Sequence, residues 1–181
     1  GTLAQNISNE FNIPHISTGD IFRGLADEGD EMGVMARDKY WGRGNLVPDE
    51  ITNELVKITL EKEEYQNKFI LDGFPRTRDQ AAALDTFVEN YIPLFLTADN
   101  QTIETRILHR LLCSDKSCGK IYNSVTQIPS YPGKCNCGEP LIRRKDGNKR
   151  ALPIRMEEYS KNSPGIRRHY NDRILEIDAG Q

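Results

Sequence analysis

No stretch of the 181-residue chain approaches the roughly 20 apolar residues that a membrane-crossing helix requires, and no signal-peptide pattern is visible. No membrane partner is therefore expected, and the cytoplasm is the expected compartment, with an organelle as the alternative. Excess charge is missing too. The 24 Lys and Arg stand against 27 Asp and Glu, and a net charge of −3 is too mild to build a nucleic-acid surface, although positions 143–155 are locally basic. Cysteine is scarce and confined, since all four fall between 113 and 137. What is present is a 37% hydrophobic content, enough at this length to bury a real core in one compact enzyme domain carrying a small insertion.

Along the chain, Leu3 to Phe11 has helical spacing, His15 to Ser17 reads as a short strand, and Ile21 to Gly42 holds helical patterns broken at Gly29-Asp30 and Gly33. Ile51 to Lys62 predicts a helix, Phe69 onward a strand, Asp79 to Tyr91 a helix, Pro93 to Thr97 a strand and Gln101 to Leu112 a helix. This is β and α in alternation, the pattern of an α/β fold with a parallel sheet. Residues 113–150 lose it, and a helix from Leu152 into the 160s followed by a strand at Ile174 to Ile177 restores it.

Three segments carry the chemistry. In FILDGFPRTRDQ, from Phe69 to Gln80, an apolar run breaks into Asp72-Gly73 where a parallel strand would end, which is the end that faces the ligand crevice in open α/β sheets. Gly73 lets a ligand approach the backbone, Pro75 stiffens the turn, Arg76 offers a planar fork of donors suited to phosphate, and Asp72 suits a metal ion through its waters. Read by itself, the segment is also compatible with a strand, a turn and two solvated arginines. In ISTGDIFR, from Ile16 to Arg23, Ser17, Thr18 and Asp20 suit a helix start, whose exposed amides and nearby Arg23 favour an anion; ordinary capping is the simpler alternative. The third is GNLVPD, Gly44 to Asp49.

In order and spacing these three motifs resemble the nucleoside monophosphate kinases, adenylate kinases most closely, over essentially the whole chain. The resemblance implies an α/β, parallel-sheet P-loop kinase core at 1–112 and 151–181, a helical AMP-binding arm at 18–47 and a lid insertion at 113–150. It implies transfer of the γ-phosphate of ATP to AMP, with Mg2+ accompanying ATP, by a monomer. Thr18, Arg23, Leu46, Val47, Gly73, Arg76 and Gln80 match AMP-binding positions. Arg76, Arg106, Arg110, Arg144 and Arg155 match arginines that contact phosphates, Arg144 and Arg155 on the acceptor side, and Arg106 and Arg110 on the ATP side. Gly1, Thr2, Ile121 and Tyr122 match ATP-binding positions, and Asp146 matches a lid acid; Ile121 and Tyr122 also read as a strand of a small metal-bound sheet. Leu111 departs from the pattern, since many relatives carry arginine there. Spaced four apart, Arg106 and Arg110 are expected to share one helix face. A carboxamide such as Gln80 can pair with a donor and an acceptor on the adenine edge. Pyrimidine-specific relatives typically carry asparagine shortly after GFPR, where Thr77 and Arg78 stand here, and a UMP/CMP kinase is the alternative of that kind.

Within the insertion, Cys113, Cys118, Cys135 and Cys137 are spaced C-x4-C, sixteen residues, C-x-C. Two close pairs of thiolates predict a tetrahedral structural Zn2+ site. Zinc-bearing lids of the resembling family usually read C-x2-C, sixteen residues, then C-x2-C or C-x2-D. The middle spacing agrees, while the first pair is wider and the second tighter, which keeps a disulfide open; a free-standing zinc ribbon for nucleic acid is a remoter alternative. The chain opens Gly1-Thr2-Leu3-Ala4-Gln5, matching the tail of the G-x-x-x-x-G-K-[GST] phosphate loop and the helix behind it, and stops at Gln181 where relatives continue. The expectation is a piece of a longer kinase, and the rival reading is an inactive nucleotide- or partner-binding module.

Overall fold

A computed structural model describes residues 1–144, 147 and 149–180. Helix α1 (Thr2–Phe11) closes on Asn12, whose left-handed backbone (φ 50) returns its amide to the Ser8 carbonyl. Strand β1 (His15–Ser17) runs into α2 (Thr18–Asp27), where the Ser17 hydroxyl accepts from the Asp20 amide. Asp30 caps α3 (Glu31–Lys39) by accepting from the amides of Met32 and Gly33. After a 3-10 turn at Trp41–Arg43 come α4 (Asp49–Leu60), β2 (Ile70–Asp72), α5 (Arg78–Phe87), β3 (Leu94–Thr97) and α6 (Asn100–Leu108). The lid strands β4 (Arg110–Cys113), β5 (Ile121–Asn123) and β6 (Leu141–Ile142) follow, then α7 (Ala151–Tyr170) and β7 (Leu175–Asp178).

The strands form two parallel ladders and one antiparallel sheet. His15, Ile16 and Ser17 pair in register with Ile70, Leu71 and Asp72, so the ends of β1 and β2 deliver Thr18 and Gly73 side by side. Leu94 to Thr97 pair with Leu175 to Asp178. In the lid, β4 lies between β5 and β6. The α/β alternation is thus observed, and three apolar clusters hold it. Phe22, Ala36 and Val47 pack the arm; Val56, Phe74 and Leu84 join α4 to α5; Ala81, Ile166 and Tyr170 join α5 to α7.

Three elements differ from the sequence-based expectation. The helix expected over Gln101 to Leu112 stops at Leu108, and Arg110 to Cys113 is a strand. Leu108, Leu111 and Leu112 fit a helical period, but Leu111 and Leu112 pair with Tyr122 and Ile121, and cross-strand pairing overrides a short apolar pattern that local spacing cannot resolve. Arg106 and Arg110 therefore do not share a helix face: the first ends α6, the second opens β4. The helix at Asp79 ends at Phe87 rather than Tyr91, because Val88 turns extended while its amide closes on the Leu84 carbonyl. Helix α7, in contrast, runs through Pro164 to Tyr170. A proline inside a helix costs about 3 kcal/mol, and here the burial of Ile166 and Tyr170 against Ala81 and Tyr91 offsets it. The end of α7 is fixed further by polar contacts. Asp85 takes the Tyr91 hydroxyl at 2.6 Å and faces His169 Nε2 at 2.7 Å, and the Tyr170 hydroxyl lies 3.0 Å from that of Tyr91.

Glycine matters most at position 33, where α3 presses on α2. A Cβ there would stand 2.4 Å from the Ala26 nitrogen and the Leu25 carbonyl carbon. Both are backbone atoms that no rotamer change can move. Gly33→Ala is expected to cost about 3 kcal/mol and to lower Tm by roughly 6–12 °C in calorimetry, given the entropy scale of a chain this long. A shift below about 2 °C would show that the two helices part freely.

Candidate functional site

The site begins where the paired strands end. Thr18, the first residue of α2 and 3% exposed, donates its hydroxyl to the Gly73 carbonyl at 3.0 Å, tying the arm to the β2 turn. Gly73 has φ +79, which favours glycine, and a Cβ there would meet Arg76 Nη2 at 2.8 Å and Thr18 Oγ1 at 3.1 Å. Arg76 Nε donates to the same Gly73 carbonyl at 2.7 Å. One carbonyl thus holds both the hydroxyl and the guanidinium, while Arg76 remains exposed. The Phe74–Pro75 peptide is cis.

Asp20 organises the cations on the facing side. Arg23 Nη2 binds its Oδ1 at 2.6 Å and Arg144 Nη2 binds the same oxygen at 3.2 Å. Burial would raise the Asp20 carboxyl, but the charge and hydrogen bond of Arg23, helped by Ser17 and Arg144, hold it below the usual carboxylate range. Arg110 from β4, Arg143 and Arg144 from the segment after β6, and Arg155 from α7 line one small cleft. Gly1 stands at the N-cap of α1. Thr2 opens α1 directly behind it. His15 Nε2 lies 3.2 Å from Asp72 Oδ2.

Of the residues singled out in the sequence, the structure brings Thr18, Gly73 and Arg76 together at one turn, and Arg110, Arg144 and Arg155 together at one cleft, with Arg23 joined to Arg144 through Asp20. Arg106 sits in the last turn of α6. Val47 is buried against Phe22 and Ala36, with Leu46 half-buried beside it. Gln80 is 2% exposed; its Oε1 accepts from the Arg76 amide and its Nε2 donates to Asp49 Oδ1, each at 2.7 Å. Asp146 lies outside the described residues. Sequence reasoning gave Asp20 a capping role only, and gave none to Asp49 or His15. Asp20 and Asp49 stand inside quoted motifs, but their partners lie 124 and 31 residues away, a relation that local spacing does not encode.

In the lid, the thiols of Cys113, Cys118, Cys135 and Cys137 have their sulfurs within 4.8 Å of one another. Cys113 and Cys137 lie 3.4 Å apart, and Cys118 and Cys135 3.7 Å. Four sulfurs at about 2.3 Å from a tetrahedral Zn2+ would be separated by about 3.8 Å, so the donor set fits zinc despite the unusual spacing. Cys135 is 1% exposed, and the Cys137 backbone amide together with the Tyr122 hydroxyl draws its thiol down, while burial pushes the neighbouring Cys113 thiol up. Tyr122 is itself buried beside Cys113 and Cys135, its hydroxyl 3.5 Å from Cys135 Sγ, and the neighbouring Ile121 is half-buried.

Parallel ladders flanked by helices, with a glycine turn, converging arginines and a four-cysteine lid at their ends, define a phosphotransferase of the α/β P-loop kinase class. Comparison with known proteins makes this specific. The sequence model described as adenylate kinase matches residues 1–175. The adenylate kinase of Clostridium botulinum strain Hall is 42% identical over 178 residues, covering 95% of this chain and 81% of that protein. That of Thermosipho africanus is 40% identical over 177 residues, with coverage of 94% and 81%. That of Petrotoga mobilis is 40% identical over 189 residues, covering 100% of this chain and 85% of that protein. The chain belongs to the adenylate kinase family.

Proposed function

We propose that this chain moves the γ-phosphate of ATP to AMP, giving two ADP, in a cleft between the β1–β2 strand ends and the lid. The observation that carries this reading is the convergence of Arg110, Arg144 and Arg155 on one cleft, with Arg23 tied to Arg144 through Asp20. Phosphoryl transfer asks the protein chiefly for positioning and positive charge around the transferring group. Arg23 and Arg76 hold the AMP phosphate, with Arg144 and Arg155 joining it from the lid side, and Thr18, Leu46, Val47, Gly73 and Gln80 form the rest of the acceptor site. Arg106, Arg110, Gly1, Thr2, Ile121 and Tyr122 serve ATP. A phosphate oxygen of AMP attacks the γ-phosphorus directly, so no side chain forms a covalent intermediate. As the donor bond breaks, the arginines neutralise charge on the equatorial oxygens, and the lid excludes water that would otherwise act as acceptor.

Magnesium, when bound, would supply charge neutralisation on the ATP phosphates, and Asp72 would hold its waters. Zinc fits the four thiols and would staple β4, β5 and the 135–137 turn into one lid. No described helix is long and apolar enough to cross a membrane, and the enzyme is read as a cytoplasmic monomer.

A coupled assay of ADP formation from ATP with AMP, CMP and UMP in turn, on the intact enzyme, tests the reading. The expected result is turnover with AMP at least tenfold above that with either pyrimidine nucleotide. Nucleotide binding without turnover would overturn it in favour of an inactive binding module, and preference for UMP or CMP in favour of a pyrimidine kinase.

A further inference from the structure

Asp49 opens α4, and both of its carboxylate oxygens are used: Oδ2 accepts from the Thr77 hydroxyl at 2.6 Å and Oδ1 from Gln80 Nε2 at 2.7 Å. The Thr77 hydroxyl accepts from the Gln80 backbone amide at 3.0 Å, which leaves its own proton for Asp49. On its other side the Gln80 carboxamide accepts from the Arg76 backbone amide at 2.7 Å. An ionised carboxylate can only accept and a backbone N–H can only donate. Turning the Gln80 amide over would therefore set oxygen against oxygen at Asp49 and N–H against N–H at Arg76.

We infer that Asp49 is a specificity-determining positioning residue, which locks the carboxamide of Gln80 in the one orientation that selects adenine. A carboxamide carries two acceptor lone pairs and two N–H donors. Asp49 and the Arg76 amide take one of each, leaving one acceptor and one donor in fixed positions. The adenine edge offers N6–H as donor and N1 as acceptor, and a fixed acceptor–donor pair complements it. A hypoxanthine edge reverses the pattern, with O6 accepting and N1–H donating, so the flipped amide would suit IMP instead. The inference rests on the proposed contact between Gln80 and the AMP base.

Asp49→Asn tests it, because an asparagine that keeps its oxygen on the Thr77 hydroxyl turns an NH2 toward Gln80, so that whichever way the Gln80 amide faces it loses one of its two contacts, at position 49 or at the Arg76 amide, and its single orientation is no longer held. On the intact enzyme, the ratio of kcat/KM for AMP to that for IMP is expected to fall at least tenfold, through KM for the acceptor, while KM for ATP stays within twofold. A purely structural role for Asp49 would lower both acceptors equally and leave the ratio unchanged, which would overturn the inference. Gln80→Ala separates the two layers. If it lowers the ratio and Asp49→Asn does not, the base contact stands and the lock is wrong; if neither changes the ratio, the base contact is wrong and the lock falls with it. Should Asp49→Asn fail to fold, Asp49→Ser decides by the same ratio, since a serine suits a helix start and its hydroxyl can either give or take a hydrogen bond; an unchanged ratio there overturns the inference as well.

Discussion

Replacing Arg76 with alanine is expected to lower kcat/KM for ADP formation by about 10²–10³-fold, the scale on which a single positioned donor to developing charge acts. The guanidinium is exposed, yet its Nε is anchored to the Gly73 carbonyl at 2.7 Å, so the fork is aimed before substrate arrives. The same carbonyl receives Thr18, which couples the aim of Arg76 to the start of α2, the helix that also carries Arg23. Lysine should not rescue the loss, because an ammonium offers a point charge in place of two parallel donors to a phosphate. A loss below about tenfold, roughly 1.4 kcal/mol, would remove Arg76 from the transferring group and leave the Asp20-linked arginines to carry the charge. The fold should survive the change, since Arg76 belongs to none of the buried clusters.

The second large expected effect comes from removing the metal that the four lid thiols fit. The lid core is small, with Cys113, Tyr122 and Cys135 buried and Leu111, Cys118 and Leu141 packed around them. Its sheet comprises three short strands, the last of two residues. So little apolar area is insufficient to order a segment of this length, and structural zinc, with apparent binding free energies of about 10 kcal/mol or more in isolated fingers, would supply the difference. Elemental analysis of the enzyme as purified is expected to give near-stoichiometric zinc, and chelation, or Cys135→Ser at the most buried of the four thiols, is expected to remove it. Either change should also melt the lid ahead of the core in hydrogen exchange and raise KM for ATP more than tenfold. AMP binding, proposed above to rest on the arm and the β2 turn, should change far less. An enzyme purified without zinc whose lid exchanges no faster than its core would show that packing alone holds the lid; a Cys113–Cys137 or Cys118–Cys135 crosslink in peptide mapping would replace zinc by a disulfide.

The motifs around Thr18 and Gly73 were legible because their chemistry is local. An N-cap, a strand end, a glycine that tolerates positive φ and an arginine three residues later are all written within short stretches of chain. The cysteines were legible as a metal set by residue type, although C-x4-C and C-x-C left their geometry open. Arg110 was misplaced onto a helix because LHRLLC satisfies a helical period and a strand equally well until β5 is laid beside it. Helix α7, expected from Leu152 into the 160s, runs to Tyr170 through Pro164 and Gly165, both strong local breakers, because Ile166 and Tyr170 meet α5. Gln80 was expected to reach adenine; that its amide is also held by Asp49 and the Arg76 backbone could not be read from a glutamine in a sequence.

By itself, then, the sequence determined the α/β alternation, the phosphate-suited turn, the arginine set and the four-thiol lid, because each depends on residue type and spacing within a few turns of chain. The tertiary structure alone decided which arginines share the cleft, that Asp20 joins Arg23 to Arg144, that β4 is a strand, and which way the Gln80 amide faces. These depend on hydrogen bonds and packing between residues distant in the chain, whose energies exist only once the strands have paired and the helices have closed over them.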